Sequence, residues 1–405
     1  MFLRAIDRLF LHRHFWRYTT FSEIAELYAS RMMRTFALRL VAVFTSIYLY
    51  QEGFDLVFIA LIWAAFYGIK IIAAWPSAMV IAWFGPKHGT LYSNVLAALS
   101  MAFLPFVNID NGIWAIVVWG SLQAVSSCLY DMCYLVGFSK IKSVEHAGKE
   151  IGYMSIIDKV AASISPLIGG FMAFLYGPHS VMILSSVLFL ASTIPLFRSG
   201  EPVKIRQKVS FAGYPWRQTW RSLRAETAVG FDVFASTSGW TLFMVVIVFA
   251  GAGAEVYAGV GILSSVAIIA SLLAALAFGR LIDRRMGGEL LITGSVLNSL
   301  VHAGRIFITT PIGVAFANIL HEAASMAYAM SFTRGMFDTA DISGKRLTYL
   351  FLIEVVMNLG AAAGALVLAF VVWTYDEHLG LQIFFGVTAL VVILIATPRF
   401  RMYSR

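Results

Sequence analysis

Long apolar segments recur along the whole chain and are separated by short polar turns. Many of them are long enough to cross a hydrocarbon core of about 30 Å as a helix, which takes about 18 residues or more. They are apolar on every face, whereas strands of a membrane barrel alternate apolar and polar residues. The pattern therefore predicts twelve membrane-spanning helices, at residues 35–50, 56–84, 91–107, 113–136, 151–176, 181–197, 234–250, 260–278, 290–308, 314–332, 347–372 and 383–396.

The composition excludes a water-soluble fold. Hydrophobic residues make up 60% of the chain and charged residues 13%, against about one-quarter charged residues in soluble domains. The two cysteines lie in one apolar run, so they cannot form a disulfide or zinc framework. No Gly-rich loop ends in Gly-Lys-Ser/Thr, so ATP is not the expected energy source. The sequence predicts an all-α membrane protein without a cofactor or metal.

The basic residues indicate how the chain is oriented. Of the 30 Lys and Arg residues, only Arg39, near the start of the first span, and Lys70, Lys159 and Arg305 lie within predicted spans. All others lie at or before the start of the first span, or after an even-numbered span. Positive charge collects in cytoplasmic loops, so we predict that both termini are cytoplasmic and that the net charge of +8 faces the membrane surface rather than nucleic acid.

One long basic stretch divides the spans into two sets of six. Early arginines resemble those of a signal peptide, but no cleavage site follows, so we expect the N-terminus to be retained. Ser22 is a possible N-cap of an amphipathic helix that lies on the bilayer. The predicted organisation is a cytoplasmic amphipathic segment at 1–33, an N-terminal six-helix bundle at 34–197, a basic cytoplasmic linker at 198–230, a C-terminal six-helix bundle at 231–397 and a cytoplasmic tail at 398–405.

The two sets share an internal repeat. A pattern of Gly-Lys, Tyr and Ile followed by an acidic residue at 148–158 recurs 196 positions later at 344–354. The repeat places the fourth and fifth spans over the tenth and eleventh. Both copies begin on the cytoplasmic side, so the predicted bundles are related by an axis along the membrane normal, as in carriers with a central cavity.

The loop after the eighth span resembles the signature loop of the major facilitator superfamily. Gly279, Leu281, Asp283 and Arg284 match that signature, and Gly287 falls one place late. After the second span only the Gly and Lys of its counterpart remain. The Ser-Pro-Leu-Ile-Gly-Gly run at 165–170 is also similar to the family. The resemblance implies the family's fold, a transport function, and a cavity lined by spans one, four, seven and ten.

His321 and Glu322 lie near the middle of the tenth span, far from either headgroup layer. Desolvation favours the protonated form of a carboxyl in such a place. A carrier can use this to take up a proton on one side and release it on the other. The alternative is a carboxyl held by His321 or Ser325 for packing alone.

Other charges within the spans need partners because they are costly in a bilayer. Lys70 lies deep in the second span, with an ion-pair role and a substrate role both open. Gln123 and Asp131 lie at helical spacing in the fourth span, and Asp131 can alternatively pair with Lys140 or Lys142. Arg305 can extend to the headgroups from a span end.

Asp158 and Glu354 occupy equivalent places in the repeat. We predict that they pair with basic residues across the bundles when the cytoplasmic side is closed. Lys159 is a local competitor for Asp158, and Asn358 is a partner on the same helix face as Glu354. The alternative is that each residue stabilises its own bundle.

Together these features predict a secondary transporter that moves a small solute by alternating access, coupled to protons through Glu322. The expected ligands are a small-molecule substrate and protons, its surroundings are the lipid bilayer, and it works as a monomer without nucleic acid. A polytopic membrane enzyme, a lipid flippase and a non-transporting receptor are the alternatives. An enzyme is disfavoured because its reacting groups would cluster at one membrane face.

Overall fold

The computed structural model describes residues 21–141, 147–197, 208–266, 274, 277–278, 280–282 and 286–403. In that part of the chain the regular elements are helices, and twelve of them, named α1 to α12, follow one another. Their bounds are α1 Phe21–Gln51, α2 Leu56–Phe84, α3 Pro86–Phe103, α4 Ile113–Ile141, α5 Ala147–Tyr176, α6 Pro178–Ala191, α7 Trp216–Phe234, α8 Glu255–Val266, α9 Gly287–Arg305, α10 Pro311–Ile342, α11 Arg346–Thr374 and α12 Glu377–Val392. Helix α7 continues to Val248 through two π-helical turns.

Among the described residues, nine helices are long and apolar enough to cross a membrane, namely α1 to α7, α11 and α12. Helices α9 and α10 occupy the predicted ninth and tenth spans without meeting that measure. Helix α8 begins the predicted eighth span, most of whose remainder lies outside the described residues. The predicted all-helical membrane fold is confirmed.

Glycine followed by proline forms two of the tight turns between helices. Gly85 and Gly177 have φ angles of 88° and 82°, in a region that glycine adopts without steric cost. Pro86 and Pro178 then begin α3 and α6, where a proline's missing N–H would have had no partner in any case. Helix therefore follows helix with almost no loop, at the turns that the sequence predicts.

The contacts between helices repeat six helices along the chain. Helix α1 packs against α5 and α6, as α7 packs against α11 and α12. Helix α3 packs against α4 and α6, as α9 packs against α10 and α12. The two sets, α1–α6 (the N-terminal bundle) and α7–α12 (the C-terminal bundle), meet where α2 packs along α11 and α5 along α8. Two similar bundles related by a twofold rotation produce this pattern.

Two helices begin earlier than their apolar runs. Residues 21–33 continue directly into the first span as part of α1, and no separate surface helix is present in this described part. Residues 216–230 of the predicted linker form the first half of α7. Ser30 and Glu226 in these extensions are buried, so packing against other helices holds polar residues that hydropathy assigns to water. Residues 1–20 of the predicted surface segment lie outside the described part.

Helices α7 and α11 approach each other at glycine. A Cβ at Gly360 would overlap the carbonyl oxygen of Thr227, and a Cβ at Gly230 would overlap that of Met357. Both oxygens belong to helix backbones, which cannot rotate away as a side chain can.

We therefore expect Gly360→Ala to lower the melting temperature of the detergent-purified protein by several degrees, because overpacking of this kind costs about 1–3 kcal/mol. Gly304→Ala is the matched control, since a Cβ at Gly304 meets no atom within 4 Å. Equal melting temperatures for the two variants would contradict the close approach.

Candidate functional site

Among the described residues, two ion pairs connect the N-terminal and C-terminal bundles. Lys159 of α5 pairs with Glu322 of α10. Lys70 of α2 lies 3.4 Å from Glu354 of α11, and its ammonium nitrogen also lies 2.9 Å from Asp131 of α4. In both pairs the N-terminal bundle supplies the cation and the C-terminal bundle the carboxylate.

The two pairs differ in their access to water. The side chains of Lys70 and Glu354 are 5% and 1% exposed, whereas those of Lys159 and Glu322 are 29% and 30% exposed. A buried pair is costly to break, because separation leaves two unpaired charges in a medium of low dielectric. The pair between Lys159 and Glu322 is therefore the more accessible and the less costly of the two to separate.

The adjacent residues His321 and Glu322 belong to different networks. The Nδ1 atom of His321 lies 2.8 Å from the Oδ1 of Asn298, inside the C-terminal bundle. Glu322 faces the other bundle and Lys159. Ser325 donates to the backbone carbonyl of Glu322 at 3.2 Å, not to its carboxyl. Neither of the holding partners expected from the sequence takes the Glu322 carboxylate.

Two polar residues of α4, Asp131 and Gln123, also have different surroundings. Asp131 pairs with Lys70, while Lys142 lies outside the described residues, as does the side chain of Lys140. Gln123 is buried two helical turns away, and its Oε1 has no hydrogen-bond partner. An enclosed amide oxygen without a donor leaves one hydrogen bond open to a ligand or a water.

The repeat-related residues Asp158 and Glu354 have different kinds of partner. Asp158 pairs with Arg31 of α1, within its own bundle, and the Nε of Arg31 lies 2.8 Å from its Oδ1. Glu354 pairs across the bundles with Lys70 and accepts from the Nδ2 of Asn358 at 2.7 Å. Lys159, the expected competitor for Asp158, instead pairs with Glu322.

Only part of the predicted signature loop is described. Gly279, Asp283 and Arg284 lie outside the described residues. Gly287 begins α9, where the ring of Tyr403 from the C-terminal tail packs against it so closely that a Cβ would overlap the ring. The hydroxyl of Tyr403 donates to the carbonyl of Ser331 in α10 at 3.0 Å. The tail thus packs against the start of α9 and the second half of α10.

A buried network around Asp232 is not among the predicted site residues, because its helix was predicted to begin at residue 234. The carboxylate of Asp232 accepts from the Nδ2 of Asn298 at 3.0 Å, from the hydroxyl of Tyr328, and from the hydroxyl of Ser236 at 3.1 Å. The Nε2 of His302 lies 2.6 Å from its Oδ1. The sequence signal for this network is Asp232 and Ser236, one helical turn apart at the edge of an apolar run.

The geometry of His302 fixes its tautomer. Arg305 can only donate, and its Nη1 lies 3.2 Å from the Nδ1 of His302. Nδ1 therefore accepts, and Nε2 carries the proton that is donated to Asp232. The ligand atoms of Asp232, His302 and His321 lie within 4.8 Å of one another, but a metal on Nε2 would require an N–H facing Arg305. The cluster is a hydrogen-bonded chain and a poor metal site.

Arg305 itself is buried in this network. It is 1% exposed, and its guanidinium lies 4.4 Å from the ring centre of Trp240. The prediction that Arg305 extends to the headgroups is therefore wrong. A planar cation can stack on an aromatic face in the interior, which keeps part of its charge compensated without water.

The N-terminal bundle holds a buried positive charge, Arg34, at the place that corresponds to Asp232 in the C-terminal bundle. The Nη1 of Arg34 in α1 lies 2.7 Å from the Oδ1 of Asn94 in α3, and its Nη2 lies 3.2 Å from the hydroxyl of Ser126 in α4. Its guanidinium also lies 4.0 Å from the ring centre of Tyr130. Asp232 of α7 likewise contacts an Asn of α9 and a polar side chain of α10. In each bundle, a buried charge on the first helix is therefore held by polar residues of the third and fourth helices.

Comparison with known proteins agrees with this architecture. A sequence model described as Major Facilitator Superfamily matches residues 27–365, and no curated protein matches the sequence. The crystal structure of the human organic anion transporter MFSD10 (TETRAN) is similar with a TM-score of 0.67 and 11% identity, over 92% of this chain and 99% of that one. The crystal structure of the nucleoside transporter NupG is similar with a TM-score of 0.66 and 12% identity, over 95% and 100%. At these identities the structures show a shared fold.

Proposed function

Since the chain belongs to the Major Facilitator Superfamily of membrane transporters, we propose that it is a secondary active transporter that moves a small solute by alternating access, coupled to protons. The proposed setting is the cytoplasmic membrane, with both termini in the cytoplasm and a monomer as the working unit. The observation that carries the proposal is the pair of ionic contacts between the bundles, each with its cation in one bundle and its carboxylate in the other.

Glu322 is the proposed coupling residue. Its partner Lys159 belongs to the other bundle, and both side chains are partly exposed. A proton on Glu322 removes the negative charge that attracts Lys159, which lets α5 and α10 separate. Loss of the proton restores the attraction. A change in protonation is thereby converted into a change in the contact between the bundles, which is what proton-driven transport needs.

Lys70, Asp131 and Glu354 are proposed to form the second contact that opens and closes. Because Lys70 is shared by one carboxylate from each bundle, separation of the bundles leaves it paired with Asp131 of its own bundle. Lys70 is then never left as an isolated charge in the bilayer, and the cost of opening falls. Asn358 holds the carboxylate of Glu354 in either state.

The substrate is best sought first among the ligand classes of the structurally similar transporters, which are organic anions and nucleosides. The free amide oxygen of Gln123 offers an acceptor for a donor group, and Lys159 offers a cation once Glu322 is protonated. A thermal-stabilisation screen of the purified protein with both classes, at low and neutral pH, identifies which class binds.

Glu322→Gln is expected to abolish uptake driven by a pH gradient in proteoliposomes and to leave counterflow exchange of substrate intact, because glutamine cannot release a proton. Glu289→Gln, at an exposed carboxyl on α9, is the matched control and should leave both activities unchanged. If Glu322→Gln removes both activities or neither, the proposed proton role is wrong.

A further inference from the structure

Glu226 of α7 is a buried carboxyl for which the described residues provide no hydrogen-bond or ion-pair partner. The residue is 6% exposed, and its Oε2 is enclosed without a hydrogen-bond donor. Within the described part of the chain it makes no hydrogen bond or ion pair. A buried ionised carboxylate in this condition is strongly unfavourable, and the group becomes neutral instead.

Glu354 of α11 lies level with Glu226 along the packed helices α7 and α11, because Ser222 contacts Tyr349 one turn before Glu226 and Gly230 meets Met357 one turn after it. Among the described residues, Tyr349 of α11 and Tyr328 of α10 are the other titratable groups that act on Glu226. Both hydroxyls are occupied, since Tyr349 donates to Ser222 at 2.9 Å and Tyr328 donates to Asp232. None of these three groups is a cation, and Glu354 is the one that carries a charge in its ion pair with Lys70.

The balance of charge around Lys70 points to the same conclusion. One ammonium group serves Asp131 and Glu354, and Glu226 adds a third carboxyl next to Glu354. The buried guanidinium of Arg34 lies over Tyr130, the neighbour of Asp131 in α4, so two cations balance Asp131 and Glu354 and none is left for Glu226. Glu226, as the carboxyl without a donor, is therefore where a proton is held.

We propose that Glu226 is a second proton-binding residue, which controls the ion pair between Lys70 and Glu354 across the two bundles. The proposal rests on the alternating-access function proposed above. With Glu226 neutral, Glu354 keeps its charge and holds Lys70, so α2 and α11 stay together. When Glu226 loses its proton, two carboxylates lie at the same level of α7 and α11, and Glu226 has no cation of its own. Their repulsion displaces Glu354 from Lys70 and favours separation of α2 from α11.

The contact between α2 and α11 can be measured without any substrate. Trp75 and Phe351 pack edge to face across these helices, with ring centres 5.9 Å apart. We would replace both with cysteine in a background carrying Cys128→Ala and Cys133→Ala, and measure the cross-linked fraction over a range of pH. The fraction is expected to fall several-fold as pH rises. In the same protein with Glu226→Gln, which mimics the neutral acid, the fraction should stay high throughout.

Two further variants make the result decisive. Glu226→Asp keeps a titratable group and should retain the pH dependence, whereas Glu289→Gln removes an exposed carboxyl and should not alter it. The same pH dependence in Glu226→Gln as in the parent would overturn the proposal. Because cross-linking needs no transport, this result stands apart from the Glu322→Gln assay, and either proposal can fail alone.

A spectroscopic readout covers the case in which Glu226→Gln does not fold. Infrared spectra of the unmodified protein should show a protonated buried carboxyl that remains near neutral pH and is lost on further alkalinisation. Glu226→Asp should shift that band. A spectrum in which the band is absent, or is unaffected by Glu226→Asp, would also overturn the proposal.

Discussion

Replacing Gly261 with valine is expected to reduce transport to background while the protein remains folded. Gly261 lies where α8 meets α5 between the bundles, and a Cβ there would lie 2.5 Å from the carbonyl oxygen of Pro166. The reciprocal position is equally tight, with a Cβ at Gly170 lying 2.5 Å from the carbonyl of Tyr257. Small residues allow helix backbones to approach in this way within a membrane.

The tight contact lies on the side opposite the predicted cytoplasmic loops. There the hydroxyl of Ser265 in α8 also donates to the carbonyl of Ser163 in α5 at 2.7 Å. A valine side chain would hold the two backbones apart, so this side could no longer close and the transport cycle would stop in one state. Each bundle would still fold, because the substitution lies at the contact between them.

Uptake into proteoliposomes measures this effect, and the melting temperature shows whether the variant is folded. Gly304→Val is the matched control, since Gly304 is a helical glycine with no atom within 4 Å of a Cβ. Transport at the parental rate by Gly261→Val would mean that α5 and α8 need not come together during the cycle.

Replacing Asp232 with alanine is expected to destabilise the C-terminal bundle by about 3–5 kcal/mol, the cost of removing one member of a buried charged network. The change leaves donors of Asn298, Tyr328 and His302 without their acceptor. It also removes the negative charge that compensates Arg305 through His302. Asp232→Asn retains an acceptor oxygen and should cost less.

The loss of stability is measured as a lower melting temperature and as a smaller monodisperse fraction on size-exclusion chromatography. Asp110→Ala, at an exposed aspartate in the turn before α4, provides the comparison. An Asp232→Ala protein as stable as the Asp110→Ala protein would show that the network contributes nothing to folding.

The apolar runs predict the order of the helices well but not where they begin. Hydropathy records which residues can face lipid, whereas a helix continues for as long as its backbone and side chains find partners. Helix α1 already includes residues 21–33, where Ser30 is buried, and Arg34 follows it in the interior of the bundle. Helix α7 likewise extends back to Trp216. Both helices were predicted to start later than they do. Asp232 therefore lay outside the predicted seventh span and was not considered as a site residue.

Single charges within apolar runs are visible in the sequence, but their partners are not. Lys70, Glu322 and Glu354 stand out because charges in a bilayer are rare and costly. Which of them meet depends on how each helix is rotated and on which helices are neighbours. The pairing of Lys159 with Glu322 joins residues 163 positions apart, and no spacing rule predicts it. The internal repeat suggested equal roles for Asp158 and Glu354, but their surroundings differ.

The arrangement of charges gives the two bundles distinct roles. The N-terminal bundle carries Arg34 at its centre and supplies Lys70 and Lys159 to the interface. The C-terminal bundle carries Asp232 at its centre and supplies the carboxylates. In the proposed mechanism, protons act on the C-terminal side of each contact, while the N-terminal side keeps its charge. This asymmetry is how we propose that a change in protonation moves one bundle relative to the other.

The most direct test of alternating access is the distance between the bundles at each side of the molecule, measured by pulsed electron resonance between spin labels. Labels at Asn111 and Thr309 report one side, and labels at His88 and Ile342 report the predicted cytoplasmic side, all at exposed positions. When pH or ligand is changed, one distance should lengthen as the other shortens. If both distances stay fixed, or lengthen together, the two bundles do not alternate and the proposed mechanism is contradicted.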